Sequence, residues 1–113
     1  MIPTLNLEYR PTLPEALTRV RAFLETERRR GTRVVQIIHG YGSSGVGGTL
    51  RAGIRKELGA MKGRGDVRAF IPGEDLRRGT AGIKRLVNDF PDIKRLKDYG
   101  RGNPGITVVV LSR

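Results

Sequence analysis

The chain has 113 residues, a length that suits one core and predicts a single domain over residues 1–113. Its 22 Lys plus Arg against 11 Asp plus Glu give a formal charge of +11, which points to a polyanionic partner rather than an ordinary solvated surface. With no cysteine there is no disulfide framework, no thiolate nucleophile and no zinc–thiolate site, and no apolar run approaches a membrane span. Met1-Ile2-Pro3 leads into structure without a signal or transit pattern, so the expectation is a cytoplasmic protein with no membrane partner.

Thr4 to Glu8 alternates, with Leu5 and Leu7 on one side and Asn6 and Glu8 on the other, as a half-buried strand does. Thr12-Leu13-Pro14-Glu15 has the form of a capping box with proline in the first turn. Leu13, Ala16, Leu17, Val20, Phe23 and Leu24 follow at helical spacing, and Gly31 is a stop. Arg28, Arg29 and Arg30 crowd the end of that helix, where they read equally as a phosphate patch or as cations complementing the helix dipole. Val34, Val35, Ile37 and Ile38 make a buried strand with His39 at its end. Gly40 to Gly48 reads GYGSSGVGG, a glycine loop whose backbone approaches a ligand without side chains in the way. After Thr49, the residues Leu50, Ile54 and Leu58 share one helix face, while Arg51 and Arg55 share another. Gly59, Gly63 and Gly65 are predicted to break the chain around Lys62 and Arg64.

A third strand is predicted from Val67 to Ile71, stopped at Pro72-Gly73. Thr80 caps a helix whose Ile83, Leu86, Val87 and Phe90 read as core contacts, ending before Pro91. Asp92 to Tyr99 adds a short helical turn, with Lys94, Arg95 and Lys97 toward solvent. Gly100 to Gly105 is a turn, and Ile106 to Leu111 is the most continuous β-branched run, predicting a central strand. Strands alternating with helices build an α/β fold from crossover units.

Strand, glycine loop and helix in succession deliver backbone N–H groups, a helix N-terminus and the guanidinium groups of Arg51 and Arg55 to one place, a recipe for holding phosphate. Gly40, Gly42 and Gly45 spell the dinucleotide fingerprint, but two mononucleotide-binding halves do not fit comfortably in this length. Gly42 to Thr49 reads GSSGVGGT, the nucleotide phosphate loop with Gly48 in the lysine position, and no strand ends in a magnesium-binding Asp.

His39-Gly40-Tyr41-Gly42, then a glycine-rich turn and Thr49-Leu50-Arg51, resembles the HGxG-to-LR signature of the Smr (small MutS-related) domain. Leu5-Asn6-Leu7-Glu8 stands where that family has Leu-Asp-Leu-His, and Gly100 to Val109 is similar to its closing glycine turn and last strand. The resemblance implies a two-layer sandwich, a four-stranded mixed sheet packed by helices, like the C-terminal domain of translation initiation factor 3. The helix from Thr80 to Phe90 is then an addition between the last two strands, with no role implied. It also implies a DNA- or RNA-binding module, some members of which nick or cut nucleic acid using the first-strand Asp and His, here Asn6 and Glu8.

In such a sheet Asn6, Glu8, His39, Arg101 and Asn103 are expected to converge on one edge, ringed by Arg10, Arg51 and Arg55. Gly40, Tyr41, Gly42, Ser43, Ser44, Gly45, Gly47, Gly48 and Thr49 would contact phosphate, with Tyr41 as a candidate base-stacking ring and Tyr9 and Tyr99 as packing or surface residues. The leading expectation is nucleic-acid binding chiefly through phosphates, structure or ends preferred over sequence, with no cofactor required. The alternative is an endonuclease with His39 as general acid or base, Glu8 as base or ligand, and Mg²⁺ or Mn²⁺ as its metal. A third reading is a ribosome- or protein-binding module whose glycine loop is structural, with His39 donating from its ring to a backbone carbonyl.

Overall fold

Four strands form one mixed sheet in the order β1-β2-β4-β3, from β1 (Thr4–Asn6), β2 (Val34–Ile38), β3 (Val67–Pro72) and β4 (Ile106–Leu111). The structure is a computed structural model that describes residues 2–40, 46–77 and 79–111. β1 pairs parallel with β2, and β4 runs antiparallel to both β2 and β3. All six positions of β4 are buried, which is what an interior strand covered on both faces requires of its β-branched run.

Period-two alternation divides the apolar side chains. Val35, Ile37, Val109 and Leu111 face one core cluster, and Val34, Val108 and Val110 face another. Helices α1 (Leu13–Arg29) and α2 (Val46–Gly63) pack the first face through Ala16, Val20, Leu24, Leu50, Ile54 and Leu58, giving the α/β two-layer sandwich. Helix α3 (Ala81–Asp89) and the 3-10 turns Gly73–Arg77 and Pro91–Arg95 cover the second face with Leu76, Val87, Phe90 and Ile93. The inserted helix therefore has a structural task, because it keeps that face of β4 from water.

The capping box forms: Glu15 N–H donates to Thr12 Oγ1 at 3.3 Å and Thr12 N–H donates back to Glu15 Oε1 at 3.0 Å. Leu13 presses against Gly53, where an added Cβ would lie 2.5 Å from Leu13 Cδ1, and Arg21 pairs with Glu57 at 3.1 Å, so α1 and α2 run parallel. Each follows a strand and returns against it. Both helix N-termini therefore lie at the end of the sheet where β1 and β2 finish, here the loop end, and both C-termini lie at the far end.

Some boundaries depart from the sequence reading. β1 stops at Asn6, and a turn closed by Arg10 N–H on Leu7 O at 3.1 Å follows. α2 starts at Val46, so Gly47 and Gly48 belong to its first turn rather than to the loop. Gly59 does not break that helix, because burial of Leu58 and Met61 on either side outweighs the roughly 1 kcal/mol that an exposed glycine costs. Gly65, at φ +83°, makes the actual reversal. The turn expected from Asp92 to Tyr99 is the 3-10 segment Pro91–Arg95, which buries Ile93 and exposes Lys94 and Arg95. Gly73 leaves no room for a side chain: a Cβ there would lie 2.0 Å from the Asn103 carbonyl oxygen and 2.5 Å from Ile106 Cγ1. Among the described residues no helix is long and apolar enough to cross a membrane.

Candidate nucleic-acid interface

His39 follows β2 and is only 1% exposed. Its Nδ1 lies 2.8 Å from the Gly40 carbonyl oxygen and its Nε2 lies 2.9 Å from Thr107 Oγ1. A carbonyl only accepts, so Nδ1 carries the hydrogen and Nε2 accepts from the Thr107 hydroxyl. That hydroxyl in turn accepts from Arg55 Nε at 3.1 Å. The remaining Arg55 nitrogens reach Glu74 at 3.0 and 2.9 Å, a bidentate pair, and the carbonyls of Pro104 and Ile106 at 3.3 and 3.1 Å. Among the described residues no buried side-chain nitrogen or oxygen lacks a partner, so the network is closed.

Burial is the main force on the imidazole. It depresses the His39 pKa from 6.5 to about 4; the Gly40 carbonyl opposes this, and the cations of Arg55 and Arg51 add to it. The ring is neutral at pH 7. The hydrogen bonds from Arg55 hold the Glu74 carboxyl below its usual range, so the pair stays ionised.

The other expected residues lie variously. Asn6 and Glu8 are exposed and bond to each other, Glu8 N–H to Asn6 Oδ1 at 2.8 Å and Asn6 Nδ2 to Glu8 Oε1 at 3.3 Å. Strand alternation puts Leu5 and Leu7 in the core shared with α1 and turns Asn6 to the opposite side of the sheet from His39. The structure therefore sets Asn6 apart from His39, while the Glu8 side chain bonds to Asn6. Asn103 Oδ1 accepts from Gly105 N–H at 2.8 Å, and Gly105 O accepts the backbone N–H groups of His39 and Gly40 at 3.0 and 3.1 Å. The closing glycine turn is thereby stitched to the end of β2, with Arg101 exposed on it. Arg10 is exposed at the same end, with φ +60°.

Arg55, expected to hold phosphate, is instead committed to Glu74, Thr107 and the two carbonyls, with 17% of its side chain exposed. Arg51 is half-buried and near enough to bias both His39 and Glu74, yet among the described residues no carboxylate pairs with it. Gly47, Gly48 and Thr49 stand in the first turn of α2, which contains no acidic residue. Tyr41, Gly42, Ser43, Ser44 and Gly45 lie outside the described residues. At the far end Arg28 and Arg29 pair with Glu25, and Arg30 pairs with Glu27, which favours the helix-end reading of that cluster.

Sequence reasoning missed Thr107 and Glu74. Thr107 hides inside a β-branched run, where its methyl suits a strand as well as valine does, and Glu74 follows a proline–glycine stop with no periodicity around it. Among the described residues no three His, Asp or Glu side chains are grouped to hold a metal ion. Glu74, the carboxylate whose charge acts on His39, is paired with Arg55, and Glu8 bonds to Asn6, so among the described residues these groups do not form a donor set for a resident Mg²⁺ or Mn²⁺.

The Smr domain family model matches residues 8–83. The structure is similar to that of the Smr domain of Thermus thermophilus MutS2, with a TM-score of 0.62 and 26% sequence identity, covering 99% of this chain and 100% of that one. No curated protein matches the chain.

Proposed function

The chain belongs to the Smr domain family, which is associated with nucleic-acid binding and nicking endonuclease activity, and from that premise we propose that it is a phosphate-directed nucleic-acid-binding domain. It takes DNA or RNA at the loop end and prefers structure or ends over base sequence. The observation that carries this is the contrast between two helix starts. α1 closes its N-terminus with its own Glu15, whereas α2 begins Val46-Gly47-Gly48 with no acid in its first turn, and Arg51 follows. Backbone N–H groups there are oriented for an anion, and the charge of +11 brings the polyanion to them. The sequence, with no cysteine, carries no zinc-finger motif for reading base edges.

The endonuclease alternative needs His39 to exchange a proton with water or substrate. Its Nε2 lone pair is taken by Thr107, its ring is buried, and Asn6, to which Glu8 bonds, faces the other side of the sheet. We therefore read His39 as a strut that fixes the end of β2 to β4.

The test is incubation with labelled single- and double-stranded DNA and RNA at 50 and 200 mM salt, with and without Mg²⁺ or Mn²⁺, scoring gel shift and cleavage. With about six phosphates contacted, affinity falls roughly a thousandfold between those salt concentrations and the substrate stays intact. Metal-dependent cutting abolished by His39→Gln would restore the endonuclease reading. The absence of any shift would leave a ribosome- or protein-binding module in its place.

A further inference from the structure

Tyr9 is the large apolar side chain that the described surface leaves exposed, at 58%. An ordinary packing tyrosine would be covered. It sits in the turn that links β1 to α1, where Arg10 N–H bonds to Leu7 O and Arg10 takes φ +60°. For a residue other than glycine that conformation is strained, and such strain persists only where the surroundings impose it. Pro11, buried, and the Thr12–Glu15 capping box fix the chain immediately afterwards. The turn is thus a rigid mount, with its aromatic ring held outward.

The Arg19 guanidinium lies over that ring, 5.6 Å from its centroid. Arg10, exposed, follows Tyr9 directly in the chain, so the turn carries a second cation in a segment whose acids are engaged locally. Glu15 is bound to Thr12, and Glu8 to Asn6. The site also lies beside the interface proposed above, because β1 and β2 are adjacent parallel strands. Asn6 pairs with Ile38, so the chain leaves toward Tyr9 and toward Gly40 at the same end, about one strand spacing apart.

We propose that Tyr9, with Arg10 and Arg19, is a stacking platform for an unpaired nucleobase, the ring taking the base face and the guanidinium groups taking the flanking phosphates. This rests on the phosphate-directed reading and adds to it a preference for single-stranded, frayed or tailed nucleic acid. Any base has a π-face to offer, so the platform carries no sequence code.

Fluorescence anisotropy would compare a single-stranded oligonucleotide with a blunt hairpin duplex of equal phosphate number, using the intact chain and its Tyr9→Ala and Tyr9→Phe variants. Tyr9→Ala is expected to weaken single-strand binding by about tenfold and leave the blunt duplex within twofold, whereas Tyr9→Phe retains single-strand affinity. Equal losses on both substrates, or no loss on the single strand, would overturn the platform while leaving phosphate binding intact. If the unsubstituted chain binds neither substrate, the functional reading beneath it fails as well.

Discussion

The two ends of the sheet are both rich in cations and differ in what the backbone does there. At the loop end β1 and β2 finish and α1 and α2 begin, so N–H groups and positive helix poles collect over a closed network of His39, Thr107, Arg55 and Glu74. At the far end the same helices stop, and their carbonyls collect instead. A cleft of about 750 Å³ lies at that far end and is lined by Arg33, Lys62, Val67, Arg68 and Phe90 among others. Size and basic side chains alone would make it the anion site. Yet helix C-termini oppose an anion, Arg68 is already held by Asp89 at 3.8 Å and by the Phe90 ring, and Lys62 complements the end of α2. Side-chain charge thus attracts a polyanion to the whole molecule, and backbone polarity decides where it docks.

That contrast is most exposed to failure at Arg55. Arg55→Ala leaves Glu74 without its partner and removes the donor to Thr107, and is expected to cost about 3 kcal/mol in urea denaturation. A loss no larger than that of a surface substitution would mean the network does not brace the loop end.

A smaller effect follows from acidity. The folded His39 pKa of about 4 lies below its unfolded value near 6.5, so its contribution to stability is complete above pH 6.5 and is lost progressively as pH falls to about 4. Moving from pH 7 to pH 5 should remove about 2 kcal/mol, read from denaturation midpoints across that range. With His39→Gln the curve should be nearly flat over the same window, since the chain has one histidine.

The smallest effects test the ends against each other as binding surfaces. Arg51→Ala should lower affinity and reduce the salt slope of nucleic-acid binding by about one. Lys62→Ala should leave that slope nearly unchanged and alter stability by no more than about 0.5 kcal/mol. Equal slope changes would erase the distinction between the ends.

The fold was largely legible in the sequence because its signals are local. The capping box at Thr12, the β-branched run of β4 and the helical spacing after Thr49 each specify their own element. The Smr resemblance supplied the four-stranded mixed sheet they build, and the order β1-β2-β4-β3 came from the structure. The site was less legible because its network joins residues far apart in the chain. A spacing rule placed Arg51 and Arg55 together on one helix face and gave them one task, but only the packing of Thr107 and Glu74 against Arg55 separates a bracing arginine from one without a carboxylate partner among the described residues. Alternation in β1 did set Asn6 apart from Leu5 and Leu7. Which side His39 shares follows from the pairing of β2 with β4, which no single segment reveals.

The brace has a consequence for how the chain is made. Arg55 is satisfied by the Pro104 and Ile106 carbonyls and the Thr107 hydroxyl, and the β2 end by the Gly105 carbonyl. On a translating ribosome, α1, β2 and α2 emerge first and can dock their apolar faces, but Arg55, even once Glu74 has emerged to pair with it, lacks the Thr107 hydroxyl and the two carbonyls until β4 arrives. The last strand therefore acts as a latch, and the loop end acquires its final geometry only when synthesis of β4 is complete.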